Sequence, residues 1–72
     1  MMRQYYVTYD FLTNNKYYQC GKRVFANNKK EACQIIKDNY WESVQTYINK
    51  GYATSTARRF VKYPFHIRAE RM

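Results

Sequence analysis

Arg58, Arg59 and Lys62 form the densest basic group in the chain, with no acid between them, next to Phe60 and Tyr63. Guanidinium and ammonium groups so spaced can neutralise phosphates, and aromatic rings among them offer faces on which bases stack. Residue types suited to catalysis are sparse. Gly21 and Gly51 are the only glycines, so there is no Gly-rich phosphate loop. His66 is the only histidine and falls in an alternating run after Pro64-Phe65, where a solvent-side strand residue is expected. Asp38 and Glu42 stand one helical turn apart and read as part of a solvated helix face. Nucleophilic chemistry would need Cys20 or Cys33 beside His66 in space. Two cysteines and one histidine also lack the paired spacing of a four-ligand zinc site. The expectation is therefore a binding protein, not an enzyme, with no metal and no cofactor.

Composition points to an anionic partner. Thirteen Lys and Arg against five Asp and Glu give a net charge of +8. The excess is +3 over residues 1–28, +1 over 29–50 and +4 over 51–72. Such a field attracts phosphate backbones, anionic lipid or acidic proteins. Nine Tyr, four Phe and one Trp cannot all be core in 72 residues, so several must lie at the surface. The length predicts a single domain, 1–72, of marginal stability. The opening Met1-Met2-Arg3-Gln4-Tyr5 leads into strand-like sequence without the apolar run of an export signal. Cys20 and Cys33 are thus expected to be reduced, buried and unbridged, in a cytoplasmic setting. No stretch approaches the roughly 18 apolar residues of a membrane span, so no membrane partner is expected.

These side chains must be positioned by few elements. Residues 4–11 alternate: Tyr5, Val7, Tyr9 and Phe11 fall on one face, Tyr6, Thr8 and Asp10 on the other. Thr13-Asn14-Asn15-Lys16 reads as a turn, because asparagine tolerates positive φ. A second strand runs from Tyr17 to about Phe25. With Asn14-Asn15 as the loop, Phe11 lies opposite Tyr18, Tyr9 opposite Cys20, Val7 opposite Lys22 and Tyr5 opposite Val24. That face is apolar apart from Lys22 and is the expected core. Tyr6, Thr8, Asp10, Tyr17, Gln19 and Arg23 form the other face. Asn28 with Glu31 is a variant capping box, so a helix should start at Lys29 and stop at Lys50-Gly51. Asp38, Asn39 and Glu42 leave a break in it open. Its Ile35, Ile36 and Tyr40 should cover the sheet. Thr54-Ser55-Thr56 can cap a short helix through Ala57–Val61, which must end before Pro64. Phe65, Ile67 and Ala69 alternate with His66, Arg68 and Glu70 in a third strand whose neighbour the sequence leaves open. The predicted fold class is α+β: a hairpin, one helix or two, and a C-terminal strand, in ββαβ order.

Two resemblances sharpen the functional expectation. Tyr5-Tyr6-Val7-Thr8-Tyr9-Asp10, a turn, Lys22-Arg23-Val24-Phe25 and Asn27-Asn28-Lys29-Lys30-Glu31-Ala32 resemble the arm-type DNA-binding domains of phage and transposon integrases. They resemble small phage-encoded ββα proteins equally. The first resemblance implies that the exposed sheet face, with Tyr6, Tyr17, Gln19 and Arg23, meets nucleic acid. Within residues 44–61, Gly51 through Val61 is similar to the turn and recognition helix of helix-turn-helix proteins. That implies Arg58 and Arg59 facing phosphate or base edges. The leading expectation is a small basic phage-type accessory protein that binds DNA or RNA through Arg58, Arg59, Lys62, Arg23, Arg68, Tyr6, Tyr17 and Gln19. The alternative is an inhibitor or adaptor that binds a host protein or nucleoprotein complex, as anti-CRISPR proteins do. Clustering of Arg58, Arg59, Lys62 and Arg68 on one face favours the first; dispersed charge with an exposed aromatic patch favours the second.

Overall fold

The two-residue loop Asn14-Asn15 fixes the geometry of the first half of the chain. Both residues take positive φ, 52° and 63°, as a tight hairpin turn of the I′ kind requires. In the computed structural model, which describes all 72 residues, this turn joins β1 (Arg3–Thr13) to β2 (Lys16–Ala26). The register is the expected one: Phe11 faces Tyr18, Tyr9 faces Cys20, Val7 faces Lys22 and Tyr5 faces Val24. β3 (Phe65–Arg71) pairs antiparallel with the free edge of β1. The sheet order is β2-β1-β3, so β1 is central. The domain is α+β, with helices on one face of this sheet only.

The long helix α1 spans Lys29–Asn49 without a break. Asn28 Oδ1 accepts from the Glu31 N–H at 2.8 Å, one half of the expected capping box. The other half is altered: the Glu31 carboxylate accepts from the Asn27 side-chain amide at 3.2 Å. Continuity through Asp38-Asn39 has a local cause, since Gln34 Nε2 donates to Asp38 Oδ1 at 3.0 Å one turn earlier. The C-terminus is a Schellman motif. Gly51, at φ 105°, donates to the Ile48 carbonyl at 2.9 Å, and Tyr52 N–H reaches the Tyr47 carbonyl at 3.3 Å. The Tyr47 and Tyr52 rings supply its apolar contact, with centroids 6.0 Å apart.

Ala32, Ile36, Tyr40 and Val44 form one stripe at four-residue spacing, but it packs against two partners. Ala32 and Ile36 join Tyr5, Val7, Val24 and Ala26 in the sheet core, with Ile35, Tyr9, Ile67 and Ala69 at its margin. Tyr40 and Val44 instead pack with Ala57 of the short helix α2 (Thr54–Phe60). The expectation that Tyr40 helps cover the sheet core is corrected accordingly: α1 outruns the sheet, and α2 covers the overhang. The start of α2 also differs from expectation. Ala53 is its N-cap, Thr54-Ser55-Thr56 lie inside the helix, and no side chain caps it. Ala57 N–H bonds to the Ala53 carbonyl at 2.9 Å, closing the first turn.

Only ten residues are buried, a thin core for a body measuring 39 × 28 × 14 Å. Phe11, Tyr9, Ile35, Cys20 and Cys33 are half-buried, not buried as expected, because the helix layer is narrower than the hairpin. Thr8 is half-buried rather than exposed, while Tyr6 and Arg23 are exposed as the alternation predicts. Both thiols are free. No helix is long and apolar enough to cross a membrane.

Candidate functional site

β3 does not keep the strict alternation that its sequence suggests. Between Thr8 and Asp10 of β1 the pairing slips by one residue, from Arg68 to Phe65, and His66 takes a positive φ of 54°. An extra residue in a strand exchanges the faces beyond it. Ile67 and Ala69 therefore point to the core, but Phe65 turns to lie opposite Asp10 and against Tyr17. The same bulge brings His66 Nδ1 to 2.9 Å from Asp10 Oδ2, an exposed imidazole against a mostly covered carboxylate.

Displacing Phe65 completes a continuous belt of rings around one end of the molecule. Trp41 meets Tyr40 at 5.0 Å between centroids, and Tyr40 meets Tyr63 at 5.0 Å. Tyr63 meets Phe65 at 5.2 Å, and Phe65 meets Tyr17 at 5.9 Å. Tyr17 also lies 5.1 Å from the His66 ring. Trp41, Tyr63 and Tyr17 are 49, 39 and 54% exposed, so the belt is accessible at both ends and in the middle. Most of its contacts are edge-to-face, which leaves ring faces unsandwiched.

Cations sit along this belt. The Arg58 guanidinium lies 5.6 Å over the Trp41 ring, and its Nε donates to the Tyr40 hydroxyl at 3.3 Å. Lys62 Nζ donates to Thr13 Oγ1 at 2.7 Å, which places its charge between Tyr63 and the hairpin end. His66–Asp10 is the only contact within ion-pair distance between a basic and an acidic side chain. The lysines and arginines that are engaged bond or stack with neutral groups instead, so their charge is not cancelled locally.

No protein-family model, curated protein or solved structure matches the chain. The site must be read from its own geometry.

Of the candidate residues, the fold brings Arg58, Lys62 and Tyr17 to the belt. Arg59 is exposed on α2. Tyr6, Gln19, Arg23 and Arg68 lie on the open sheet face, so Arg68 does not cluster with Arg58, Arg59 and Lys62. That face is electrically balanced, with Arg23 and Arg68 against Asp10 and Glu70. Eleven basic and three acidic residues remain elsewhere, and they carry the whole net charge of +8. On the open face the Tyr6 ring lies directly over Gly21, where any Cβ would collide with it. A glycine inside a strand commonly marks such a close approach. No three His, Cys, Asp or Glu side chains converge. Sequence reasoning noted Tyr63 beside the basic group but missed Trp41, Phe65 as an outer-face ring, and the Asp10–His66 pair. Their partners lie on other elements, and no local pattern reveals them.

Proposed function

We propose that this protein is a small phage-type accessory protein of the cytoplasm that binds nucleic acid by stacking bases on the aromatic belt and contacting phosphates through flanking cations. The observation that supports this most is the run of touching rings, accessible at Trp41, Tyr63 and Tyr17, together with the cations Arg58 and Lys62 that have no carboxylate partner. Single-strand-binding surfaces combine these two ingredients. Arg59 adds exposed charge on α2, and Tyr6, Gln19, Arg23 and Arg68 offer a secondary polar-aromatic surface on the open sheet.

Fluorescence anisotropy with single-stranded DNA, duplex DNA and RNA across a salt series tests this. Affinity should fall steeply with salt, because each neutralised phosphate releases counterions. Replacing Arg58 and Arg59 together by Ala should lower the duplex salt slope by about two units. Tyr17→Ala should cost about 1–3 kcal/mol on single strands and little on duplex. Absence of binding to all three at low salt would falsify the proposal.

A second reading draws on a different surface. The balanced sheet face exposes Tyr6, Leu12 and Phe25, and aromatic surface without net charge suits a protein partner. An inhibitor or adaptor of the anti-CRISPR type would engage its target there. Binding to a host complex that survives nuclease treatment and is lost in Tyr6→Ala would favour this reading.

A further inference from the structure

Lys22 is the residue that breaks the apolar pattern of the hairpin's inner face, and the fold gives it a place. A groove of about 180 Å³ lies between that face, α1 and the segment after α2. Phe11, Tyr9 and Tyr40 line it with aromatic surface, and Lys22 and Lys62 are its charged members. None of its lining residues is acidic. Neither lysine has a carboxylate within ion-pair distance, since the one such contact in the molecule is Asp10 with His66. Lys62 is held at the hairpin end by Thr13 Oγ1 at 2.7 Å. Asn39 contributes a half-buried side chain that bonds to no other protein group. The Tyr9 phenol, like any phenol near neutral pH, is uncharged and adds no negative charge to the lining.

We propose that this groove binds one nucleoside monophosphate unit, with the base against the half-buried Phe11 and Tyr9 rings and the phosphate held by Lys22 and Lys62. The choice of a nucleotide among aromatic anions rests on the nucleic-acid reading above. Two lysines bordering one concavity without a counter-anion call for an anionic ligand. The aromatic wall calls for a flat apolar body, and Asn39 carries the donor and acceptor that can read a base edge. The volume lies below the roughly 300 Å³ at which whole-ligand pockets begin, so a single base fills it while the phosphate stays at the rim. The unit can come from a free nucleotide or from the phosphorylated end of a strand, which share this chemistry.

Isothermal titration calorimetry of the full chain with AMP, adenosine and inorganic phosphate tests the inference. AMP should bind at least about tenfold more tightly than either of its halves, the equivalent of one charge-assisted contact added to stacking. Lys22→Gln and Lys62→Gln should each weaken AMP by about tenfold. Lys30→Gln, outside the groove, should leave it unchanged. Ser43→Phe, which obstructs the groove without altering charge, should abolish AMP binding while circular dichroism shows the fold retained. Equal affinity for AMP and phosphate overturns the inference, as does a Lys30→Gln loss matching that of Lys22→Gln. A single strand that gains affinity from a 5′-phosphate identifies a strand end as the source; AMP binding without that gain identifies a free nucleotide. Oligonucleotide binding with no AMP binding sinks the groove and leaves the belt standing. AMP binding with no oligonucleotide binding does the reverse.

Discussion

Tyr9 sits at the margin of the sheet core, and burial, with Cys20 and Tyr6 adding to it, raises its phenol above the ordinary value of 10.0. The native state therefore holds this proton more tightly than the unfolded chain does. The stabilisation is fully present below about pH 10 and is lost as pH rises through the higher folded value. Urea unfolding of the wild type and Tyr9→Phe at about pH 8 and about pH 11 should show it. The wild type should lose more stability between the two than Tyr9→Phe does. Parallel losses would mean that Tyr9 does not couple ionisation to folding. At this scale the sequence was informative where a residue's role is local. Asn14 and Asn15 announce their positive φ, and Gly51 announces the end of α1. His66 gives no such signal, because its left-handed conformation is imposed by pairing with β1 and by Asp10 across the strand. Without the bulge, Phe65 could not be placed on the outer face, and the belt could not be assembled on paper.

Elements show the same division between local and distant causes. The hairpin register follows from the turn and the alternation, and every expected pair of β1 and β2 is present. α1 is legible from its stripe and its caps. The sequence does not reveal that the stripe serves two cores, because the length of α1 relative to the sheet becomes visible only after β3 pairs with β1. Ile36, 4% exposed, anchors α1 to the sheet among Val7, Val24 and Ala26. Ile36→Ala should cost about 2–5 kcal/mol in urea unfolding, as the lost methylenes leave a cavity that a thin core cannot close. A loss below about 0.5 kcal/mol would place this side chain at the surface. The belt is an assembly of four pieces: α1 gives Trp41 and Tyr40, the segment before β3 gives Tyr63, β3 gives Phe65 and His66, and β2 gives Tyr17. Sequence periodicity reports which face of one element is apolar. It carries nothing about which rings from separate elements will touch.

Charge acts on the whole molecule, and its two consequences respond to salt in opposite directions. Lysines and arginines outnumber carboxylates thirteen to five, and none of them forms an ion pair within the fold. Self-repulsion of this excess opposes compaction, and there are few internal attractions for salt to weaken. Raising salt from about 50 to about 200 mM shortens the screening length. The melting temperature should therefore rise over that range. Over the same range affinity for nucleic acid should fall, since the counterions that binding releases from the phosphates enter a more concentrated salt solution. Differential scanning calorimetry and anisotropy on one preparation, at matched salts, measure both. Affinity that falls while the melting temperature also falls would show the fold itself failing, and the loss of binding would then be secondary. Affinity that does not change while the melting temperature rises would mean that the cations act on folding but not on the ligand. The partner contacts would then have to come from the electrically balanced sheet face of Tyr6, Gln19, Arg23 and Arg68, where a protein surface is the better fit.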